Sequence, residues 1–194
     1  MATLPRDSAL LDAIEALEVI QHRGPAWRVV RDTRSPCDCA SAGGRWDDGS
    51  FDVLYTSTTR EGAVAEMYFH LKRGQPVFPS QVRYRLHELD IELDATLDLS
   101  DLATIAALGV NTASYGQLSY AERADEYPRC QEVAEAAHFL GSGNDRLIQG
   151  LKVPNARWDC SNLVIFCDNA GPGSFEEVKD HGPVDWSEWE RQMR

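Results

Sequence analysis

The chain has 194 residues, 43% of them hydrophobic and 26% charged, which is ordinary for one globular domain and excludes wholesale disorder, collagen-like repetition and a pure coiled coil. Nineteen Lys and Arg against 31 Asp and Glu leave a net charge of −12, which repels a phosphate backbone and argues against direct DNA binding by this chain. No run approaches the roughly 18 apolar residues of a bilayer span, and no basic-then-apolar leader opens the chain, so the expectation is a cytoplasmic protein with no membrane partner.

In chain order, Leu10, Leu11, Ile14, Leu17 and Ile20 recur at helical spacing after the caps Asp7 and Ser8, predicting a helix over 8–22 that Gly24-Pro25 stops. Trp27–Val30 reads as a short strand, and Gly43-Gly44 as a loop with unusual backbone angles, with Arg45 at its exit. Asp47-Asp48-Gly49 is a turn, and Phe51, Val53 and Tyr55 alternate as a strand. Thr58 and Glu61 have capping-box spacing, so a helix runs over about 59–72. On it Glu66 emerges from the small and apolar run Gly62-Ala63-Val64-Ala65-Met67. The pattern leaves open whether that carboxylate faces a cleft or water.

Residues 77–86 and 89–97 read as two strands, and 99–108 as a short helix. Tyr127–Leu140 is a second strong helix, with Pro128 in its first turn and Gly141 at its end. Late strands at 147–153 and 163–166 flank Pro154-Asn155-Ala156-Arg157, and the segment from Gly171, with Trp186 and Trp189, reads as a cover ending in a short helix. The acids Glu88, Asp90, Glu92, Asp94, Asp98 and Asp101 follow one another without an intervening base and read as a solvated edge.

Residues 23–45 carry Arg23, Arg28, Arg31, Arg34 and Arg45 against Asp32 and Asp38, a candidate anion site. The planar guanidinium fork of Arg28 or Arg45 suits a pyrophosphate. A tyrosine such as Tyr55 can stack on a flat heterocycle, although a strand tyrosine is more often core. One carboxylate stabilises an oxocarbenium-like sugar carbon when the leaving group is already good, as nicotinamide is when it departs from NAD+. The cysteines, Cys37, Cys39, Cys130, Cys160 and Cys167, lack zinc-knuckle spacing and read as reduced, partly buried thiols with no metal site. Walker, Rossmann, nucleophile-elbow and zincin motifs are absent, and the histidines are scattered.

The ordered set Trp27-Arg28-Val29-Val30, Gly43-Gly44-Arg45-Trp46, Val53-Leu54-Tyr55-Thr56, Glu61-Gly62-Ala63-Val64-Ala65-Glu66 and Gly150–Arg157 leading to Asn162–Phe166 resembles the RES family. These are toxins of RES–Xre type II toxin–antitoxin pairs. The resemblance implies an α+β, ADP-ribosyltransferase-like fold, with a mixed, mainly antiparallel β core flanked by helices. It divides the chain into a helical extension over 1–25, the RES domain over 26–170 and a cover segment over 171–194.

It also implies NAD+ as substrate, cleaved at the nicotinamide–ribose bond, with ADP-ribose passing to a protein, water or phosphate. Two alternatives remain: a non-toxic enzyme of the same fold acting on a small NAD-like molecule or an RNA phosphate, and a module that binds NAD+ without turnover. Carried over, Arg28, Arg45 and the neighbouring Arg31 hold the phosphates, Tyr55 lies near nicotinamide, and Glu66 orients the ribose and stabilises its cation. The family's Val-Pro-Ser serine is Asn155 here, which keeps hydrogen-bonding capacity toward the ligand but supplies no hydroxyl. The implied partner is an Xre-type helix-turn-helix antitoxin that blocks the cleft, with a protein target of ADP-ribosylation as a further partner.

Overall fold

The computed structural model describes residues 7–72, 83–113, 115, 123–140 and 147–192. Among the described residues five helices and six strands follow in the order α1 (Ser8–Glu15), β1 (Val19–Arg31), β2 (Val53–Ser57), α2 (Arg60–Lys72), β3 (Tyr84–Asp98), α3 (Leu102–Ala107), α4 (Arg123–Leu140), β4 (Gly150–Pro154), β5 (Ser161–Phe166), β6 (Phe175–Pro183) and α5 (Trp186–Gln192).

β1 and β3 form a long antiparallel ribbon from Val19↔Leu97 to Arg31↔Tyr84. β2 pairs antiparallel with β5, β5 with β4, and β4 runs parallel to β3. A single register pair, Trp27↔Ser57, joins β1 to β2 and closes the ring β1–β2–β5–β4–β3, with β6 appended to the outside of β3. Strand alternation gives this ring an inside of Ala26, Leu54, Leu89, Ile91, Leu93, Leu163 and Ile165, all wholly buried. Outside it, α1, α3 and α4 cover one core around Trp46, Phe51, Val164 and Phe166, while α2 and α5 cover another around Val29, Val64, Leu86 and Trp189.

The departures at the N-terminal helix, Gly24-Pro25 and residues 77–97 come from the strength of long-range strand pairing. The N-terminal helix stops at Glu15 instead of near His22, because Val19 and Ile20 pair with Leu97 and Thr96. Gly24-Pro25, expected as a stop, lies inside β1, where Gly24 has φ +133°. Proline is tolerated there because that half of β1 pairs on one side only, so the missing N–H leaves no ladder bond broken. The two strands expected over 77–97 are one continuous β3 in its described part; 77–82 lies outside the described residues.

On β3, Leu89, Ile91 and Leu93 turn into the ring while Asp90, Glu92 and Asp94 stay exposed, as an alternating strand requires. Arg23 on β1 forms ion pairs with Glu92 and Asp94, so this acidic edge has a cross-strand base. α4 begins at Arg123, one turn before the expected start, which places Pro128 inside the helix; Gly141 lies outside the described residues. The expected C-terminal cover includes a strand, β6, held to β3 by Arg85–Asp180, His87–Glu177 and Glu88–His181 contacts.

The cysteines need correction too. Cys39 and Cys167 form a disulfide across 128 positions, tying the β1–β2 loop to the end of β5; Cys37, Cys130 and Cys160 are not disulfide-bonded. Spacing gave no hint of that bond, since it depends on where the loop packs. Among the described residues no helix is long and apolar enough to cross a membrane.

Candidate active site

The site is assembled where the ends of β2 and β5, the β4–β5 turn, the N-terminal half of α2 and the Gly43–Asp47 loop meet. α2 starts one residue later than the capping-box reading: Thr59 Oγ1 accepts the Gly62 N–H at 3.1 Å, while Thr58 Oγ1 donates to the Ser161 carbonyl at 2.9 Å and so ties the helix start to β5. Gly62 allows close approach, since a Cβ there would overlap Cys160 Sγ and stand 3.0 Å from Asn155 Nδ2. One helical turn on, the same approach brings Glu66 against the β4–β5 turn.

Glu66 is half-buried and faces this cluster rather than open water. Its Oε1 accepts from the Ala156 N–H and from Asn162 Nδ2, each at 3.2 Å. Its Oε2 has no hydrogen-bond partner, and the carboxylate has no ion-pair partner, among the described residues. Asn162 Oδ1 accepts from Ser57 Oγ at 2.5 Å and from Asn155 Nδ2 at 2.7 Å.

Asn155, expected to bond the ligand, is buried and engaged internally. Nδ2 donates to Asn162 and, at 3.2 Å, to Ser57 Oγ, and Oδ1 accepts the N–H groups of Arg157 at 2.7 Å and Trp158 at 2.9 Å. Both donors and both lone pairs are in use, so its role here is to shape the turn.

The Gly-Gly loop is knotted around Asp47, a wholly buried residue the sequence reading took for a simple turn. Asp47 Oδ1 accepts the Gly43 N–H and Oδ2 the Gly44 N–H, both at 2.7 Å, and Oδ2 also accepts the Tyr55 hydroxyl at 2.9 Å. That hydroxyl accepts in turn from the Trp46 N–H at 2.9 Å. A Cβ on Gly44 would stand 2.7 Å from both Asp47 Oδ2 and Tyr55 Oη, and Gly43 has φ +72°, so this stretch requires glycines. Burial, reinforced by the Asp47 charge, pushes the Tyr55 phenol well above its usual range and keeps it neutral. Gln131 on α4 clamps the loop by donating to the carbonyls of Gly44 at 2.8 Å and Asp47 at 3.0 Å.

The knot projects Arg45 toward two rings, with its guanidinium carbon 4.3 Å from the centroid of Tyr115 and 5.3 Å from that of Tyr127. Tyr115 donates to the Pro154 carbonyl at 2.9 Å. Burial raises its phenol pKa, opposed by Arg45 and reinforced by Cys130 and Glu66, which places the ring within the electrostatic reach of both predicted site residues. Sequence reading gave no site role to Asp47, Tyr115, Gln131 or Asn162.

The five arginines of 23–45 do not converge on one anion site. Trp27 shares the face of its partner Ser57, so Arg28 turns the other way, toward the side of Ala26 inside the ring. There its Nη1 donates to the carbonyls of Pro36 and Asp38 and anchors the loop that carries Cys37 and Cys39. Burial, and secondarily Arg34, lowers its pKa to about 10, which still leaves it charged at neutral pH. Arg31 is exposed at the end of β1, and Arg34 pairs with Asp38. Arg45, Tyr55 and Asn155 lie on the loop, strand and turn that surround Glu66, while Arg28 is engaged with the carbonyls of Pro36 and Asp38 and Arg31 is exposed.

The RES domain family matches residues 23–187, most of the chain. The chain belongs to the RES domain family. A chain of the crystal structure of the M. tuberculosis MbcT–MbcA toxin–antitoxin complex is similar in fold, with a TM-score of 0.74 at 21% identity, covering 95% of this chain and 97% of that one. No curated protein matches. The RES domain here therefore has the mixed α+β, ADP-ribosyltransferase-like fold that the resemblance implied, and the matched span takes in both β6 and the start of α5.

Proposed function

We propose that this RES domain is the toxin of a toxin–antitoxin pair and cleaves NAD+ at the nicotinamide–ribose bond. The observation that carries this reading is the state of Glu66: one oxygen is held by two donors, and the other is presented without a partner among the described residues. In the reaction the bond from C1′ of the ribose to the nicotinamide nitrogen breaks, and the nitrogen takes the electron pair, so nicotinamide leaves neutral. The positive charge passes to the ribosyl carbon and ring oxygen. A carboxylate oxygen held beside that carbon and not neutralised by a neighbouring cation stabilises the charge as it develops. The acceptor then bonds to C1′ and loses its proton.

Arg45, charged and held between the Tyr115 and Tyr127 rings, is the ligand for the NAD+ phosphates. Tyr55, whose hydroxyl is engaged with Asp47 and Trp46, contributes only its ring. The cytoplasm, where NAD+ is available, is the compartment this activity requires. The partner is an Xre-type antitoxin that covers the cleft. The acidic net charge of this chain leaves DNA binding to that partner, so a gel shift with the complex and none with the chain alone is expected at physiological salt.

The test is nicotinamide release from NAD+ by the purified chain, with and without phosphate and a cell lysate, beside Glu66→Gln. Release by the wild type and its loss in the variant supports the reading. Label appearing on one lysate protein, on phosphate, or on neither identifies the acceptor as protein, phosphate or water. Intact NAD+ under every condition, in folded protein free of antitoxin, overturns it.

A further inference from the structure

We infer that Asn162 is the positioning residue of Glu66: it pins one carboxylate oxygen so that the other is aimed at the substrate. The inference rests on the proposed NAD+ cleavage for its catalytic consequence and on geometry for the rest. A glutamate has three side-chain torsions, and its carboxyl group, left alone on a helix surface, samples several rotamers. Here Oε1 is fixed from two directions, by the Ala156 N–H and by Asn162 Nδ2.

The Asn162 amide is itself unable to turn over. Its Oδ1 faces Ser57 Oγ at 2.5 Å and Asn155 Nδ2 at 2.7 Å. Flipping the amide would set its NH2 against the Asn155 NH2 and its oxygen against the Glu66 carboxylate, two repulsive contacts in place of two hydrogen bonds. Asn155 completes the relay. Its side chain accepts two backbone N–H groups of the turn and donates to both Asn162 and Ser57, which a serine hydroxyl with one proton does not supply. Asparagine at 155 therefore orients the group that orients Glu66.

The experiment uses the full chain and the variants Asn162→Asp and Asn162→Ala. Asn162→Asp keeps the acceptor that holds Ser57 and Asn155 but replaces the donor to Glu66 with an oxygen. Nicotinamide release is expected to lose about ten- to a hundredfold in kcat, the range for a hydrogen bond to a charged group, with KM for NAD+ within about twofold.

A second readout needs no activity. The Ala156 amide proton, now bonded to Glu66 Oε1, is expected to move upfield in both variants, while the Arg157 and Trp158 amides, bonded to Asn155, stay in place in Asn162→Asp. An Ala156 resonance unmoved in both variants, or a kcat unchanged beside an active wild type, overturns the inference. If the wild type itself leaves NAD+ intact, the proposed function falls and the Ala156 amide alone decides the role of Asn162.

Discussion

Two carboxylates in this molecule, 19 residues apart in sequence, are held in opposite ways. Asp47, wholly buried, accepts on both oxygens, from Gly43, Gly44 and Tyr55. Glu66, half-buried, accepts on one oxygen and leaves the other without a partner among the described residues. The first arrangement satisfies a buried charge completely and so fixes the shape of a loop; the second retains capacity for something that is not protein. Both lie beside the same tyrosine-lined corner, and the difference in saturation, more than burial or charge, distinguishes the group that builds the site from the group that acts in it.

Asp47→Ala should produce the largest effect on the fold. Removing the acceptor leaves two backbone N–H groups and a phenol without their partner, at a cost of about 1–3 kcal/mol for each group left buried and unsatisfied. The check is the denaturant midpoint, and activity should fall with it as the Arg45 loop loosens. Glu66→Gln should do the reverse: nicotinamide release falls by about 10²–10³-fold, as when one electrostatic stabiliser of a developing charge is removed, with the unfolding midpoint nearly unchanged. If the two variants lose stability and activity in the same proportion, the distinction between them fails.

Cys167→Ser tests whether the other side of the ring is structural. Opening the Cys39–Cys167 bond should lower stability by about 2–4 kcal/mol, read as a midpoint shift that dithiothreitol reproduces in the wild type, with little change in kcat. Arg45→Lys should have the smallest effect, raising KM for NAD+ by about tenfold with kcat retained, because an ammonium keeps the charge but loses the planar fork and its stacking on Tyr115. A larger KM effect from Arg28→Lys than from Arg45→Lys would reverse the assignment of the phosphate ligand.

What could be read in the chain was what depends on neighbours a few residues away. The run Gly62-Ala63-Val64-Ala65 before Glu66 announced a small and apolar stretch of helix bearing a carboxylate, without saying which way it faces, and α2 spans Arg60–Lys72, close to the expected 59–72. The alternation of Leu89, Ile91 and Leu93 with Asp90, Glu92 and Asp94 announced a strand with one dry face. Gly43-Gly44 announced a loop with unusual backbone angles, and Gly43 has φ +72° there.

What escaped was every choice made between distant segments. Helical spacing through Leu17 and Ile20 lost to pairing with β3, some 77 positions on, because twelve register pairs outweigh the weak preference of a few residues. Arg28 and Arg45 looked equivalent until strand alternation turned one of them into the ring. The partners of Glu66 lie 90 and 96 positions away, and the disulfide spans 128. Periodicity at 2.0 or 3.6 residues encodes which face of an element is apolar; it holds nothing about which polar atom of another element will stand 3 Å away. The sequence therefore determined the family, most of the elements and the presence of a helix-borne carboxylate, and only the packed sheet decided that the Ala156 N–H and Asn162 would hold one of its oxygens and leave the other open.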